Sequence, residues 1–95
     1  MKILAIGDIV GENGLKKLRD LLPTIIEKEN IDFTVVNAEN TSGGMGLNER
    51  DFTSIQKMKI NCLTMGNHTW GKKDIFSFID NEKIIRPANY SKGLP

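Results

Sequence analysis

Five side chains stand out for the chemistry they could do together: Asp8, Glu39, Asn40, Asn67 and His68. They fall in three short polar blocks, Gly7-Asp8, Asn37-Ala38-Glu39-Asn40 and Gly66-Asn67-His68, each directly after an apolar run. Carboxylates and amides offer hard oxygen donors and the imidazole a nitrogen donor, a set suited to divalent Mn, Fe or Zn. Two such ions roughly 3.5–4 Å apart can share a carboxylate and a water whose pKa falls from about 15.7 towards about 7. The same ions would hold the non-bridging oxygens of a phosphate ester while phosphorus is attacked in line. His68 is the sole histidine, hence the sole imidazole able to protonate a departing alkoxide.

Taken singly, each block has a plainer reading. Asp8 could cap a helix. Glu39 and Asn40 could satisfy loop backbone groups, and His68 could bond a neighbouring carbonyl. Trp70 reads as a packing residue over the site rather than a stacking platform. What lifts the chemical reading is placement, and that depends on the elements between the blocks.

Lys2 to Ile6 is a short aliphatic run that reads as a buried strand. From Asn13 the residues Leu15, Leu18, Leu21, Leu22, Ile25 and Ile26 recur at spacings of three and four, predicting an amphipathic helix to about Glu29. Pro23 is expected to kink it or restart it as a second piece. Asp32 to Asn37 reads as the second strand, and Thr41 to Gly46 as a glycine-rich loop. Asn48 is placed as an N-cap with Asp51 as the capping-box acid and Leu47 and Phe52 as the staple, opening a helix to about Lys59. Ile60 to Met65 is the third strand, Asp74 to Ile79 a short helix, and Lys83 to Arg86 a fourth strand closed by Pro87.

This alternation predicts an α/β fold: a parallel sheet with flanking helices, built from right-handed crossovers. In such a sheet the carboxyl ends of the strands face one crevice. Neighbouring strands lie about 4.8 Å apart, so the three polar blocks are expected to converge.

The bulk numbers set the frame. A 95-residue chain with 39% hydrophobic and 26% charged residues is at most one globular domain of marginal stability. Lys+Arg 13 against Asp+Glu 12 gives a net charge of +1, with no basic stripe, so no stable nucleic-acid binding is expected. The first apolar run is too short for a signal peptide or a membrane span, and Cys62, in an apolar run, reads as a buried small hydrophobe. The expected address is the cytoplasm, with no membrane partner. The glycine-rich loop has no Walker lysine pattern, and Gly7-Asp8-Ile9-Val10-Gly11 lacks the dinucleotide fingerprint.

The blocks Gly7-Asp8-Ile9-Val10-Gly11, Asn37-Ala38-Glu39-Asn40 and Gly66-Asn67-His68-Thr69-Trp70 resemble the first three motifs of the calcineurin-like metallophosphoesterases. Within that superfamily they are similar to the YmdB-like branch, described as 2′,3′-cyclic-nucleotide 2′-phosphodiesterases with two iron ions. The resemblance runs on through Arg86-Pro87-Ala88-Asn89-Tyr90. It implies that Asp8 and Asn40 bind a first metal, Glu39 bridges both, Asn67 binds the second and His68 donates the proton. The implied cofactors are two divalent ions, iron first and Mn or Zn next. The implied reaction opens a 2′,3′-cyclic phosphate at the 2′ oxygen, leaving a 3′-phosphate.

Family members are far longer, and their later half supplies further histidines. The expectation is therefore that residues 1–95 are the N-terminal part of a single metallophosphoesterase sandwich, with weakened metal binding and negligible turnover alone. An oligomer is compatible with that reading. The competing reading is a non-catalytic nucleotide- or metal-binding or interaction module of the same fold. An interaction module, however, has no use for two carboxylates beside two amides.

Overall fold

Short runs rich in β-branched and aliphatic residues form the strands, because such side chains fit a pleated, half-buried surface. The computed structural model describes residues 1–95 and contains β1 (Ile3–Ile6), β2 (Phe33–Asn37), β3 (Cys62–Thr64) and β4 (Ile84–Ile85). They form one sheet in the order β1-β2-β3-β4, and every neighbouring pair is parallel. The connections hold α1 (Gly11–Glu29), α2 (Glu49–Gln56) and a 3-10 helix (Lys73–Ser77). The predicted α/β architecture is the observed one.

Register decides which side chains meet the helices. Ile6 pairs with Val36, Val36 with Leu63 and Leu63 with Ile84, so one row crosses the whole sheet on one face. That row packs with Leu15, Leu18 and Leu22 of α1, Phe52 and Ile55 of α2, and Ile75 of the 3-10 turn. Because strand order follows chain order, each crossover passes over the same face. The opposite face carries Ile3, Ala5, Phe33, Val35, Cys62 and Ile85, and no helix covers it. Ile3 is 58% and Ile85 53% exposed there. The expectation of a buried first strand is corrected accordingly: β1 is covered on one side only.

Four local expectations also change. First, α1 runs unbroken through Pro23. The carbonyl that loses its partner belongs to Arg19, which is exposed, and Pro23 lies on the same solvent side. Second, α2 ends at Gln56 rather than Lys59. A turn follows in which Met58 N–H donates to the Ile55 carbonyl, bringing Ile60 into the core.

Third, the short third helix is 3-10, closed by i to i+3 bonds such as Ile75 N–H to the Lys72 carbonyl. Fourth, Asp51 does not complete a capping box. Asn48 does cap α2, its Oδ1 accepting the Asp51 N–H at 2.8 Å. The Asp51 carboxylate instead takes the Ser42 hydroxyl at 2.6 Å, and Ser42 Oγ accepts the Asn48 N–H at 2.8 Å. Ser42 and Asp51 are both buried, so this triad ties the glycine-rich loop to the start of the helix.

No helix is long and apolar enough to cross a membrane. Cys62 is 8% exposed, and burial pushes its thiol above the ordinary range by penalising the charged form. Two outcomes follow. Asn48→Ala should cost about 1 kcal/mol in urea unfolding, and Asn48→Gly only a few tenths. Cys62 should react slowly with iodoacetamide near neutral pH in the folded chain and quickly in urea, because the thiolate is the reacting form.

Candidate metal and phosphoester site

The ends of β1, β2 and β3 lie side by side, and backbone bonds pin the loops that leave them. Ile9 N–H donates to the Asn37 carbonyl at 3.3 Å and Gly11 N–H to the Asn40 carbonyl at 3.2 Å, joining the first loop to the second. Ala38 N–H donates to the Thr64 carbonyl at 3.0 Å, joining the second to the third. Gly46 N–H reaches the Glu39 carbonyl at 2.5 Å. Gly46 has a φ of +86°, and a Cβ there would meet the Lys72 amide nitrogen at 2.9 Å, so only glycine fits that return.

On this base the polar side chains form one continuous chain. The Asp8 carboxylate accepts from Asn40 Nδ2 at 2.8 Å. The Oδ1 of the same amide meets His68 Nδ1. Glu39 Oε2 accepts the His68 backbone N–H at 3.2 Å and lies 3.9 Å from His68 Nδ1. Glu39 Oε1 accepts from Asn37 Nδ2 at 3.3 Å. Four of the five residues singled out in the sequence are thus brought together. The fifth, Asn67, follows Gly66 in the same loop but is exposed and makes no side-chain hydrogen bond.

Of the plainer readings, the one for Asp8 fails and the one for Glu39 is met in part. Asp8 caps no helix: the residue at the start of α1 is Val10, without a side-chain cap. Glu39 does satisfy a loop backbone group, the His68 N–H, as its plainer reading expects, and it also takes the Asn37 side chain.

Hydrogen-bond logic fixes the imidazole's tautomer. With Nδ2 of Asn40 donating to Asp8, the Oδ1 of Asn40 must be the acceptor, so His68 Nδ1 carries hydrogen. That leaves Nε2 as the ring nitrogen outside this contact.

The donor set fits a cation in its chemistry. Asn40 Oδ1 spends one lone pair on His68 and keeps a second. Asn37 Oδ1 is buried without a hydrogen-bond partner. No three His, Cys, Asp and Glu side chains are gathered closely enough to hold a metal by themselves, so a cation held here would need amide oxygens as well. None of the four surface cavities is lined by Asp8, Glu39, Asn40, Asn67 or His68. A cavity of about 290 Å³ lies instead towards the amino ends of the strands, against Asp32, Asn61 and Lys83. The polar chain is an open ledge.

Sequence reasoning did not give roles to Asn37, Gly66, Thr69 or Tyr90, all of which touch this ledge or its supports. Asn37, Gly66 and Thr69 sit inside the three blocks of the family resemblance, and that adjacency was the signal. Tyr90 lies in the last segment of the family resemblance, but its contact was not legible there, because its partner lies 24 residues away.

Comparison with known proteins agrees with the fold and the blocks. The chain is 43% identical over 96 residues to a 2′,3′-cyclic-nucleotide 2′-phosphodiesterase of Bacillus subtilis, covering 100% of this chain and 36% of that protein. A crystal structure of a phosphatase from Mycoplasma pneumoniae superposes with a TM-score of 0.93 at 32% identity, over 100% of this chain and 34% of the other. The crystal structure of a hypothetical protein from Thermus thermophilus gives a TM-score of 0.91 at 33% identity, over 100% and 37% respectively. The chain therefore spans about a third of the length of the relatives it matches. The YmdB-like protein model matches residues 4–95, nearly the whole sequence, and the protein belongs to that family.

Proposed function

We propose that this chain carries one share of a metal-dependent phosphoesterase site, as part of a single larger metallophosphoesterase domain acting on small phosphodiesters. The observation that supports this most directly is the continuous polar chain Asp8–Asn40–His68–Glu39, drawn from the ends of three neighbouring strands. Asp8 and Asn40 would hold a first divalent ion, Glu39 would be shared, and Asn67 would serve a second. Iron is the first choice, with Mn or Zn able to replace it. When bound, such ions supply Lewis-acid activation of water and charge neutralisation at phosphate.

The chain's own residues do the rest. His68, held through Nδ1 by Asn40, presents Nε2 as the proton donor to the departing oxygen. Asn37 and the His68 amide fix both oxygens of Glu39, so that the carboxylate is oriented before any ligand arrives. The relative from Bacillus subtilis directs the substrate reading to a 2′,3′-cyclic nucleotide, opened at the 2′ oxygen.

The share is incomplete in one respect that can be counted. The 95 residues contain one histidine, and that one is assigned to the proton. Protein purified without chelators and soaked with Mn should retain the metal, and Asp8→Asn or Glu39→Gln should release it; no retention by the unaltered chain would overturn the metal reading. Hydrolysis of bis-p-nitrophenyl phosphate by the 95-residue chain should be negligible with Mn or Fe. Clear turnover abolished by both Asp8→Asn and His68→Ala would show that these residues need no further ligands.

A further inference from the structure

Glu39 is fixed by more than hydrogen bonds. Gly66 lies directly against its carboxylate: a Cβ built on Gly66 would fall within 2.6 Å of Glu39 Cδ and both carboxylate oxygens. Real side chains do not approach so closely, so any residue but glycine would evict the carboxylate. Backbone torsion does not explain the glycine, because Gly66 is absent from the residues with positive φ. Gly7, in the neighbouring block, has open space around the same position.

The seat itself is anchored from behind. The Gly66 carbonyl accepts the Thr69 N–H at 3.1 Å, the Thr69 hydroxyl at 2.5 Å and the Tyr90 hydroxyl. The two hydroxyls lie 2.9 Å apart, so two protons serve three contacts and each group restrains the other. Thr69 is fully buried. The Tyr90 ring rests at a tilt on Trp70, centroids 6.2 Å apart, which carries the segment after β4 back to the loop after β3.

We propose that Gly66 is a positioning residue for Glu39, its missing side chain forming the seat of the carboxylate, and that Thr69 and Tyr90 hold that seat in place. Its consequence for metal binding rests on the reading given under the proposed function; its geometry does not. Gly66→Ala opposes only the end of a flexible side chain, so the fold can keep its stability while Glu39 swings away. That separation of site from stability is what a purely structural glycine would not show. Residues that orient ligands in this way typically change metal affinity about 10- to 100-fold.

The test uses the isotope-labelled 95-residue chain and three readouts: thermal midpoint, hydrogen exchange of the His68 amide that donates to Glu39, and paramagnetic broadening of Asp8 and Asn40 signals by Mn(II). Gly66→Ala should keep the midpoint, lose His68 amide protection and shift the Mn(II) titration to about 10- to 100-fold higher concentration. Gly7→Ala should leave His68 protection as it is. Tyr90→Phe, which retains the ring on Trp70, and Thr69→Val should reduce that protection, and Thr69→Ser should restore it. Should Gly66→Ala fail to fold, Tyr90→Phe and the Thr69 pair decide the matter. Unchanged His68 protection in Gly66→Ala, or in both Tyr90→Phe and Thr69→Val, would overturn the proposal. If Mn(II) broadens no signal of the unaltered chain, the metal reading fails, and loss of His68 protection in the variants still establishes the seat.

Discussion

Parallel pairing of β1, β2 and β3 in chain order is the constraint from which the rest follows. Adjacent strands lie about 4.8 Å apart, and parallel strands all end on the same edge. Three loops that leave consecutive strands must therefore start as neighbours, whatever their sequences. The sequence places one polar block at each of those starts. Convergence of Asp8, Asn40, His68 and Glu39 then needs no long-range coincidence, only the correct register. That register is set elsewhere, by the row Ile6, Val36, Leu63 and Ile84 packing under the helices. A slip of one residue would turn the row over and move every block to the wrong face.

The same topology has a cost. With all three connections on one face, the other face of a parallel sheet is left uncovered, although such sheets are normally covered on both. Its residues are not chosen for water: Ile3, Phe33 and Ile85 are exposed, while Val35 is half-buried and Cys62 buried among its neighbours. The helix-covered side supplies the core, through α1 above all, whose Leu15, Leu18 and Leu22 are buried. The site draws on the covered side for its position and stands at the edge of the uncovered one, since Asn37 and Thr64 belong to the open face.

Much of this was legible in the sequence where the signal is local. The spacing from Leu15 to Ile26 gives α1, and Asn48 three residues before Asp51 gives the cap of α2, because a helix and its cap are decided within a few residues. Strand centres were legible and strand ends were not: β3 and β4 keep only Cys62–Thr64 and Ile84–Ile85 of the expected Ile60 to Met65 and Lys83 to Arg86, since pairing stops where a neighbour ends. Asp51 shows the limit more sharply. Its residue type suits a capping box, but Ser42, nine positions earlier, takes the carboxylate once the loop folds back. The supporting groups of the site were hidden for the same reason. Nothing near Tyr90 in the chain indicates that its hydroxyl will meet the Gly66 carbonyl.

The composition of the polar chain follows from charge. Asn40 lies between a carboxylate and an imidazole, and only an amide can serve both, donating through Nδ2 to Asp8 and accepting through Oδ1 from His68. An aspartate at position 40 could still accept from His68. It would have no proton for Asp8, however, and would set a second negative charge at hydrogen-bond distance from the first. Asn37 stands in the same relation to Glu39, donating to Oε1 where a carboxylate would repel it. The two amides therefore hold Asp8 and Glu39 in place without adding charge of either sign. Within the hydrogen-bonded chain itself, His68 is the one basic group set against two carboxylates. On the metal reading proposed above, a cation would offset that excess of negative charge, and the amides would leave carboxylate oxygens for it without adding charge of their own.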